Sequence, residues 1–177
     1  MTEIDSNALP QAHIRALQAS DVAAFQNLRL MALHQHPQAF FTLPEEQAAM
    51  PLSAVAHSIE PGAEQFVLGA FCADQLVGTM GLQRQRPRKL AHKAEIWAVY
   101  VHPDQRAQGL AQALLRSTLE RARTMPGLTQ VKLGVASINH AAIALYQQFG
   151  FVRYGVEPHC LLIDGTYYDE DWMQLTL

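Results

Sequence analysis

The chain has 177 residues, with 13 Lys and Arg against 16 Asp and Glu, so its formal net charge is −3. This length suits one domain, expected over residues 1–177 with a loose tail at 1–11, and an apolar fraction of 49% excludes a mainly disordered chain. A pI near 6.2 without a run of Lys or Arg argues against nucleic acid as a partner.

Targeting, membrane and metal signals are weak in this sequence. The first 18 residues carry two acids and no cationic start before an apolar run, unlike a secretory signal. No stretch approaches the ~18–20 apolar residues of a membrane-spanning helix. We therefore expect a cytoplasmic protein with no membrane partner. Cys72 and Cys160 lack a CxxC spacing and are expected to stay reduced, and the scattered histidines predict no metal site.

The amino-terminal third begins with a strand and a helix. Residues 13–17 alternate as a short strand. Ser20 and Asp21 provide oxygens that favour the start of a helix, which the pattern ends near Pro37. The stretch from 38 to 61 is irregular apart from a short helix at 52–59, and such stretches often border binding sites.

The remaining chain mixes hairpins with crossovers. Two β-rich runs flank a hairpin loop at residues 73–75. The pattern then predicts a strand at 93–101, a helix at 110–122, a strand at 130–137, a helix at 139–149 and a strand at 151–156. Two short strands around Asp164 and Gly165 complete the chain from about 161 to 177. This order predicts an α/β (α+β) domain with a mixed sheet covered by helices on both faces.

The strand at 93–101 leads into the segment richest in chemical signals. Simple alternation places Glu95, Trp97, Val99 and Val101 on one face of this strand. The following turn, Arg106-Ala107-Gln108-Gly109-Leu110-Ala111, is poor in large side chains and directly precedes a helix. Free N–H groups and the helix dipole at such a start favour an anion, and the small residues leave room for a diphosphate. Arg106 adds a guanidinium near the mouth of this cradle.

Two motifs in this order resemble a known family. The strand ending in Val-x-Val, followed by Arg-x-x-Gly-x-Ala, is similar to motif A of the GNAT superfamily of acetyl-CoA-dependent N-acetyltransferases. Residues 139–151 resemble the family signature Asn-x-x-Ala-x-x-Leu-Tyr-x-x-x-Gly-Phe. Four further residues fit the family's common opening: Arg15, Asp21, Arg29 and Leu30. The resemblance implies one N-acetyltransferase domain with a twisted, mostly antiparallel sheet of about seven strands.

The resemblance also implies acetyl-CoA as co-substrate and a set of residues that bind it. The main chain of Val99, Tyr100 and Val101 would pair with the pantetheine arm, and Asn139 would flank the other side. The diphosphate would be held at the helix start by Arg106, Ala107, Gln108, Gly109, Leu110, Ala111 and Gln112. Gly134, in the next strand, is a candidate for the point where the two strands diverge.

By the same resemblance, acetyl passes directly to an amine, with Glu95 as general base and Tyr146 as general acid. An unperturbed glutamate, with a pKa of ~4.3, is a weak base at neutral pH, so Glu95 is expected to be partly buried beside Trp97. Two structural alternatives stay open. In the first, Glu95 is an exposed glutamate at a strand edge. In the second, Tyr146 only packs its helix onto the core.

The acceptor is predicted to be the primary amine of a small molecule. Two alternatives stay open: a protein amino terminus, or a catalytically silent acetyl-CoA-binding sensor. Residues 25–60 and the carboxyl-terminal strands are expected to choose the acceptor, with Phe40 and Phe41 either lining its pocket or anchoring their segment. A group of acids either attracts a cationic amine or forms a solvated turn: Asp164, Asp169, Glu170 and Asp171. Analogy with the family makes a homodimer plausible.

Overall fold

The computed structural model describes residues 12–177, so the predicted tail at 1–11 lies outside the described residues. The strands are β1 (His13–Ala16), β2 (Gln65–Cys72), β3 (Gln75–Arg84), β4 (Lys93–Val101), β5 (Gln130–Ala136), β6 (Val152–Ile163) and β7 (Thr166–Thr176). The helices are α1 (Val22–Gln35), α2 (Pro44–Ala49), α3 (Leu52–Ile59), α4 (Leu110–Thr124) and α5 (His140–Gln148).

All seven strands belong to one mixed sheet, in the order β1-β2-β3-β4-β5-β7-β6. Neighbouring strands are antiparallel except β4 and β5, which are parallel. Helices α1 and α3 cover one face of the sheet, and α4 and α5 cover the other. The prediction of a mixed, mostly antiparallel sheet of about seven strands with helices on both faces is therefore confirmed. No helix between residues 12 and 177 is long and apolar enough to cross a membrane.

The predicted start of the first helix is correct, and Asp21 explains it. Its carboxylate accepts hydrogen bonds from Arg15 Nη1 and Nη2 at 2.7 and 2.9 Å and from the Gln18 N–H at 2.8 Å. The bond from Arg15 holds the pKa of Asp21 below its ordinary value. This carboxylate therefore ties the end of β1 to the entry of α1.

The stretch from 38 to 61 is more helical than the sequence predicted. The helix expected at 52–59 is present as α3, and α2 precedes it. Two buried amides hold α2 against α1: Gln47 donates to Gln26 Oε1 at 2.7 Å, and Gln26 donates to the Gln47 carbonyl at 2.8 Å. A helix of six residues spans fewer than two turns, so its pattern is too short for periodicity to reveal.

The carboxyl-terminal hairpin differs from the two short strands that were predicted. The strand expected at 151–156 continues to Ile163, and β7 runs for 11 residues beside it. A register shift between Glu157 and Leu161 interrupts the pairing, and His159 adopts a left-handed φ of 56° there. Asp169 secures this irregularity by accepting the His159 N–H at 2.8 Å. This bulge interrupts the alternation of side chains along β6. The sequence pattern therefore predicted shorter, separate strands.

A bulge in β4 overturns the predicted facing of its side chains. Thr79 and Gly81 of β3 pair with Tyr100 and Trp97, so β4 holds one extra residue, and Ala98 adopts a φ of 51°. Trp97 consequently packs with the α1 core, whereas Val99 and Val101 pack with the α4 core. The expectation that Glu95, Trp97, Val99 and Val101 share one face is wrong, because the extra residue reverses the alternation.

Candidate active site

The site begins where β4 and β5 separate. These parallel strands pair only from Lys93 to Glu95 and from Gln130 to Lys132. Gly134, proposed from sequence to mark the divergence, lies just beyond the last pair, but it continues to pair with β7 without a bulge. A Cβ atom at Gly134 would lie 2.7 Å from Glu170 Cδ. The missing side chain therefore makes room for the Glu170 carboxyl group.

Three adjacent cavities, each sharing lining residues with the next, follow this opening. The inner cavity, of about 210 Å³, lies between α1, the 39–42 segment, the separated strands and β7. The middle cavity, of about 460 Å³, shares Val99, Asn139 and Tyr146 with it. The outer cavity, of about 300 Å³ at the start of α4, shares Val101 and Arg106 with the middle one. Together they form one groove that runs from the start of α4 to the β4–β5 opening.

The outer cavity has the backbone geometry predicted for an anion site. Ala107 and Gly109 adopt left-handed φ values of 59° and 77° before α4. The Arg106 amide donates to the Pro103 carbonyl at 3.1 Å, and within the described chain the next amide to find a backbone acceptor is that of Ala113, which donates to the Gly109 carbonyl at 2.9 Å. The N–H groups of 107–112 are thus free for a diphosphate. A Cβ at Gly109 would meet no atom within 4 Å, so its conformation, rather than crowding, calls for glycine.

Other residues predicted for this cradle have partners of their own. Arg106 donates from Nε to the Val101 carbonyl at 3.0 Å and from Nη2 to His36 Nε2 at 2.9 Å. It therefore links the end of β4 to the end of α1. The Gln108 amide turns back to the Asp104 carbonyl at 3.3 Å, whereas Leu110, Ala111 and Gln112 line the outer cavity.

Fewer residues of β4 have main-chain groups free to pair with a ligand than the sequence suggested. The His102 N–H donates to the Val77 carbonyl at 2.7 Å, and Val101 pairs opposite Gly78. Because main-chain groups alternate between the two edges of a strand, those of Val101 face away from β3 and those of Tyr100 face it. The side chain of Tyr100 lines the middle cavity, whereas its main-chain groups pair with β3 in the sheet.

Tyr146 lies where the inner and middle cavities meet. Its side chain is buried and packs 5.7 Å from the ring of Phe151, as its structural alternative required. Burial raises the pKa of Tyr146, so its hydroxyl stays protonated at neutral pH. Nearby Asn139 caps α5 by accepting the Ala142 N–H at 3.2 Å and also lines both cavities. The predicted flanking position of Asn139 thus coincides with a capping role.

Two carboxylates in different environments line the inner cavity. Glu95 contacts Lys132 Nζ at 3.0 Å and accepts from Gln85 Nε2 at 3.1 Å, with its side chain 32% exposed. Glu170 is only 9% exposed, and burial raises its pKa. The Cys160 thiol donates to Glu170 Oε2 at 3.0 Å, and burial together with this carboxylate raises the pKa of Cys160 to about 12. Cys160 is therefore a protonated thiol rather than a nucleophile.

Only Glu170 of the predicted acidic group reaches the cavity. Asp169 binds the His159 amide, and Asp171 accepts from Ser137 Oγ at 2.6 Å and from Arg153 at 3.2 Å. Asp164 lies in the turn between β6 and β7. Over residues 12–177, no group of three or more His, Cys, Asp or Glu side chains is arranged to hold a metal ion.

Arg29 is a lining residue to which the sequence analysis gave no role. It lies on α1, and its guanidinium carbon is 4.4 Å from the centre of the Phe40 ring. Nη1 is buried without a hydrogen-bond partner in the described chain. Burial lowers the pKa of Arg29 to about 10, which leaves it charged at neutral pH. Phe40 and Phe41 line the same cavity, as one of their two expected roles required.

Comparison with known proteins gives consistent matches. A family model described as the acetyltransferase (GNAT) family matches residues 30–151. L-methionine sulfoximine/L-methionine sulfone acetyltransferase of Pseudomonas aeruginosa is 39% identical over 80 residues, which are 45% of this chain and 46% of that protein. Mycothiol acetyltransferase of Salinispora tropica is 32% identical over 119 residues, 66% of this chain and 39% of that one. The matches thus span less than half the length of these curated relatives.

Solved structures share the fold. A GNAT-family acetyltransferase from Streptococcus pneumoniae superposes with a TM-score of 0.79 at 21% identity, over 94% of this chain and 100% of that one. The putative acetyltransferase yncA from Salmonella typhimurium, solved with acetyl-CoA, gives 0.79 at 24% identity over 94% of both chains.

Proposed function

Since the chain belongs to the acetyltransferase (GNAT) family, we propose that it transfers an acetyl group from acetyl-CoA directly to the primary amine of a small molecule. One observation carries the proposal: the groove joins a helix start with free amides to a cavity lined by two carboxylates and a buried tyrosine. That arrangement combines an anion site with proton acceptors and a proton donor.

The residues of the groove fit acetyl-CoA, which supplies the acetyl group as a thioester. The amides of 107–112 and the dipole of α4 would hold the diphosphate, with Arg106 beside them. Val99 and Val101 would receive the pantetheine arm along the open edge of β4. Asn139 would flank the arm from α5.

Proton transfer requires a donor for the leaving thiolate and an acceptor for the amine. Tyr146 is the proposed donor by family resemblance and because it lies where the inner and middle cavities meet, and its hydroxyl is protonated at neutral pH. Glu95 is the proposed acceptor by family resemblance. Glu170 is a second candidate, because a raised pKa makes a carboxylate a stronger base near neutral pH.

Two observations support a small acceptor over a protein amino terminus. The inner cavity, at about 210 Å³, has a size that suits a small amine. The curated relatives above are named for acetylating small molecules, L-methionine sulfoximine, its sulfone and mycothiol. The screen of acceptors therefore includes peptides as well as small amines.

The test is a mass-resolved screen of small amines and peptides incubated with the protein and acetyl-CoA. We expect acetyl-CoA to raise the melting temperature, and at least one small amine to gain an acetyl group with release of free thiol. Stabilisation by acetyl-CoA without transfer to any acceptor would instead indicate the silent sensor. Acetylation of peptides alone would indicate the protein amino terminus.

Variants then assign the proton-transfer roles. Tyr146→Phe is expected to lower kcat at least tenfold, with exposed Tyr154→Phe as the matched control. Glu95→Gln and Glu170→Gln are compared across pH with Glu120→Gln on the exposed side of α4. The variant that abolishes the acidic limb of the pH profile identifies the base, and an unchanged profile removes that carboxylate from the role.

A further inference from the structure

The inner cavity contains a positive charge, that of Arg29, which no residue of the described chain neutralises. Within residues 12–177, no carboxylate lies within ion-pairing distance of the Arg29 guanidinium. Desolvation alone accounts for the shift in its pKa, with no contribution from a nearby charge. A guanidinium withdrawn from water is normally paired, because desolvation of an uncompensated charge is costly.

Arg29 lines the inner cavity, which has room for an external partner. Phe40 covers one face of the guanidinium, while Nη1 is buried and donates to nothing in the described chain. Arg29 lies one helical turn after Phe25, which packs edge-on against Trp97 with the ring centres 6.4 Å apart. The guanidinium therefore forms part of the cavity wall on the side of α1.

The opposite charges in this cavity come from other elements. Glu95 belongs to β4 and Glu170 to β7, and both line the space that Arg29 faces. The cavity thus has a guanidinium on α1 and two carboxyl groups on the strands, of which Glu95 is paired with Lys132. A ligand that suits both walls carries an anionic group and an amine.

We propose that Arg29 binds the carboxylate of the acceptor, and that the acceptor is accordingly a small amine that also bears a carboxylate, such as an α-amino acid. This inference rests on the proposed acetyltransferase function and narrows its substrate class. The planar fork of arginine matches the two oxygens of a carboxylate, so it fixes the position and orientation of the acceptor. Its amino group then lies toward the carboxylates of the strands.

The experiment compares L-amino acids with their primary amides as acceptors for the full chain and acetyl-CoA. The two members of each pair share the same side chain and differ at the group that Arg29 would bind. The amide has the less basic amine, and hence the larger neutral fraction, so it is the better acceptor if Arg29 plays no part. We expect kcat/KM for the preferred amino acid to exceed that for its amide by about 10- to 100-fold.

Arg29→Gln and Arg29→Lys test the residue itself. Arg29→Gln is expected to raise KM for the amino acid about 10- to 100-fold and to remove the preference over the amide, while Arg29→Lys restores part of it. Arg121→Gln is the matched control. Its guanidinium is also desolvated and lies 4.3 Å from the Phe66 ring, but it lines none of the three cavities.

Stability without acceptor separates binding from a structural role. A buried unpaired charge does not stabilise the fold, so Arg29→Met should melt at or above the wild-type temperature. A clear loss of stability together with an unchanged acid-to-amide ratio would overturn the proposal. Equal use of amides and amino acids by the wild type would also overturn it, while the proposed function would stand. Failure to acetylate any amine would refute the proposed function and the inference with it.

Discussion

Replacement of Thr79 by valine tests whether one hydroxyl holds the bulge that shapes the groove. Thr79 is 4% exposed, and its Oγ1 donates to the Ala98 carbonyl at 2.8 Å. Ala98 is held in the left-handed region, which costs an L-residue about 1–2 kcal/mol. Valine keeps the shape of threonine but removes this donor, so the bulge loses a bond that offsets its strain.

The expected loss of stability follows from the unpaired carbonyl. A buried acceptor without its partner costs about 1–3 kcal/mol. For a chain of this size, that corresponds to a fall in melting temperature of about 2–12 °C. Because the bulge turns Val99 and Val101 toward the groove, we also expect acetyl-CoA to bind about 5- to 10-fold more weakly.

Urea unfolding followed by tryptophan fluorescence measures the first effect, and calorimetric titration with acetyl-CoA measures the second. Thr79→Ser is the control, since it keeps the hydroxyl and loses only a buried methyl group, worth about 1 kcal/mol. It should bind acetyl-CoA as the wild type does. Wild-type stability and affinity in Thr79→Val would refute the role assigned to this hydrogen bond.

Three further predictions concern single positions. Asp21→Ala should lose about 1–3 kcal/mol at pH 7, because the hydrogen bond from the Gln18 N–H and a partly buried ion pair with Arg15 disappear. Folding lowers the pKa of Asp21, so the stabilisation by its carboxylate is present above the ordinary aspartate pKa and decreases as the pH falls through the pKa of the folded state. Urea unfolding at pH 7 and pH 3 checks this. Gly134→Ala should displace Glu170 and lower amine turnover at least tenfold, with the Kd of acetyl-CoA within about twofold. Gly109→Ala should cost about 1–2 kcal/mol and reduce the thermal shift that acetyl-CoA produces.

Two other glycines provide the controls. Gly155→Ala and Gly62→Ala add a methyl group where no atom lies within 4 Å and where the backbone is not left-handed. Neither variant should change turnover or the thermal shift by more than about twofold. A loss of turnover in Gly155→Ala equal to that in Gly134→Ala would contradict the steric explanation.

Much of the secondary structure could be predicted because its causes are local. The bounds of β4 and α3 agree with the sequence pattern, and α4 begins at Leu110 as expected. Hydrophobic period and capping residues act within a few positions of the chain. The free amides before α4 also depend only on adjacent residues, so the cradle was predictable once the turn was recognised.

The bulges at Ala98 and His159 were not predictable, because their stabilising partners lie on other strands. The bulge at Ala98 relies on a hydroxyl from β3, and the one at His159 relies on Asp169 of β7. Each reverses or interrupts an alternation that looks regular in the sequence. The faces of β4 and the length of β6 consequently differed from expectation.

The sequence by itself determined most of the order of elements up to α5, apart from α2, and the small-residue turn before α4, because local periodicity and small residues at adjacent positions suffice for these. Only the tertiary structure decided which charged side chains line the inner cavity. Arg29, Glu95 and Glu170 come from a helix and two strands far apart in the chain, and they share one cavity because β4 and β5 separate. Charged side chains from distant segments can act on one ligand only when folding places them in the same cavity.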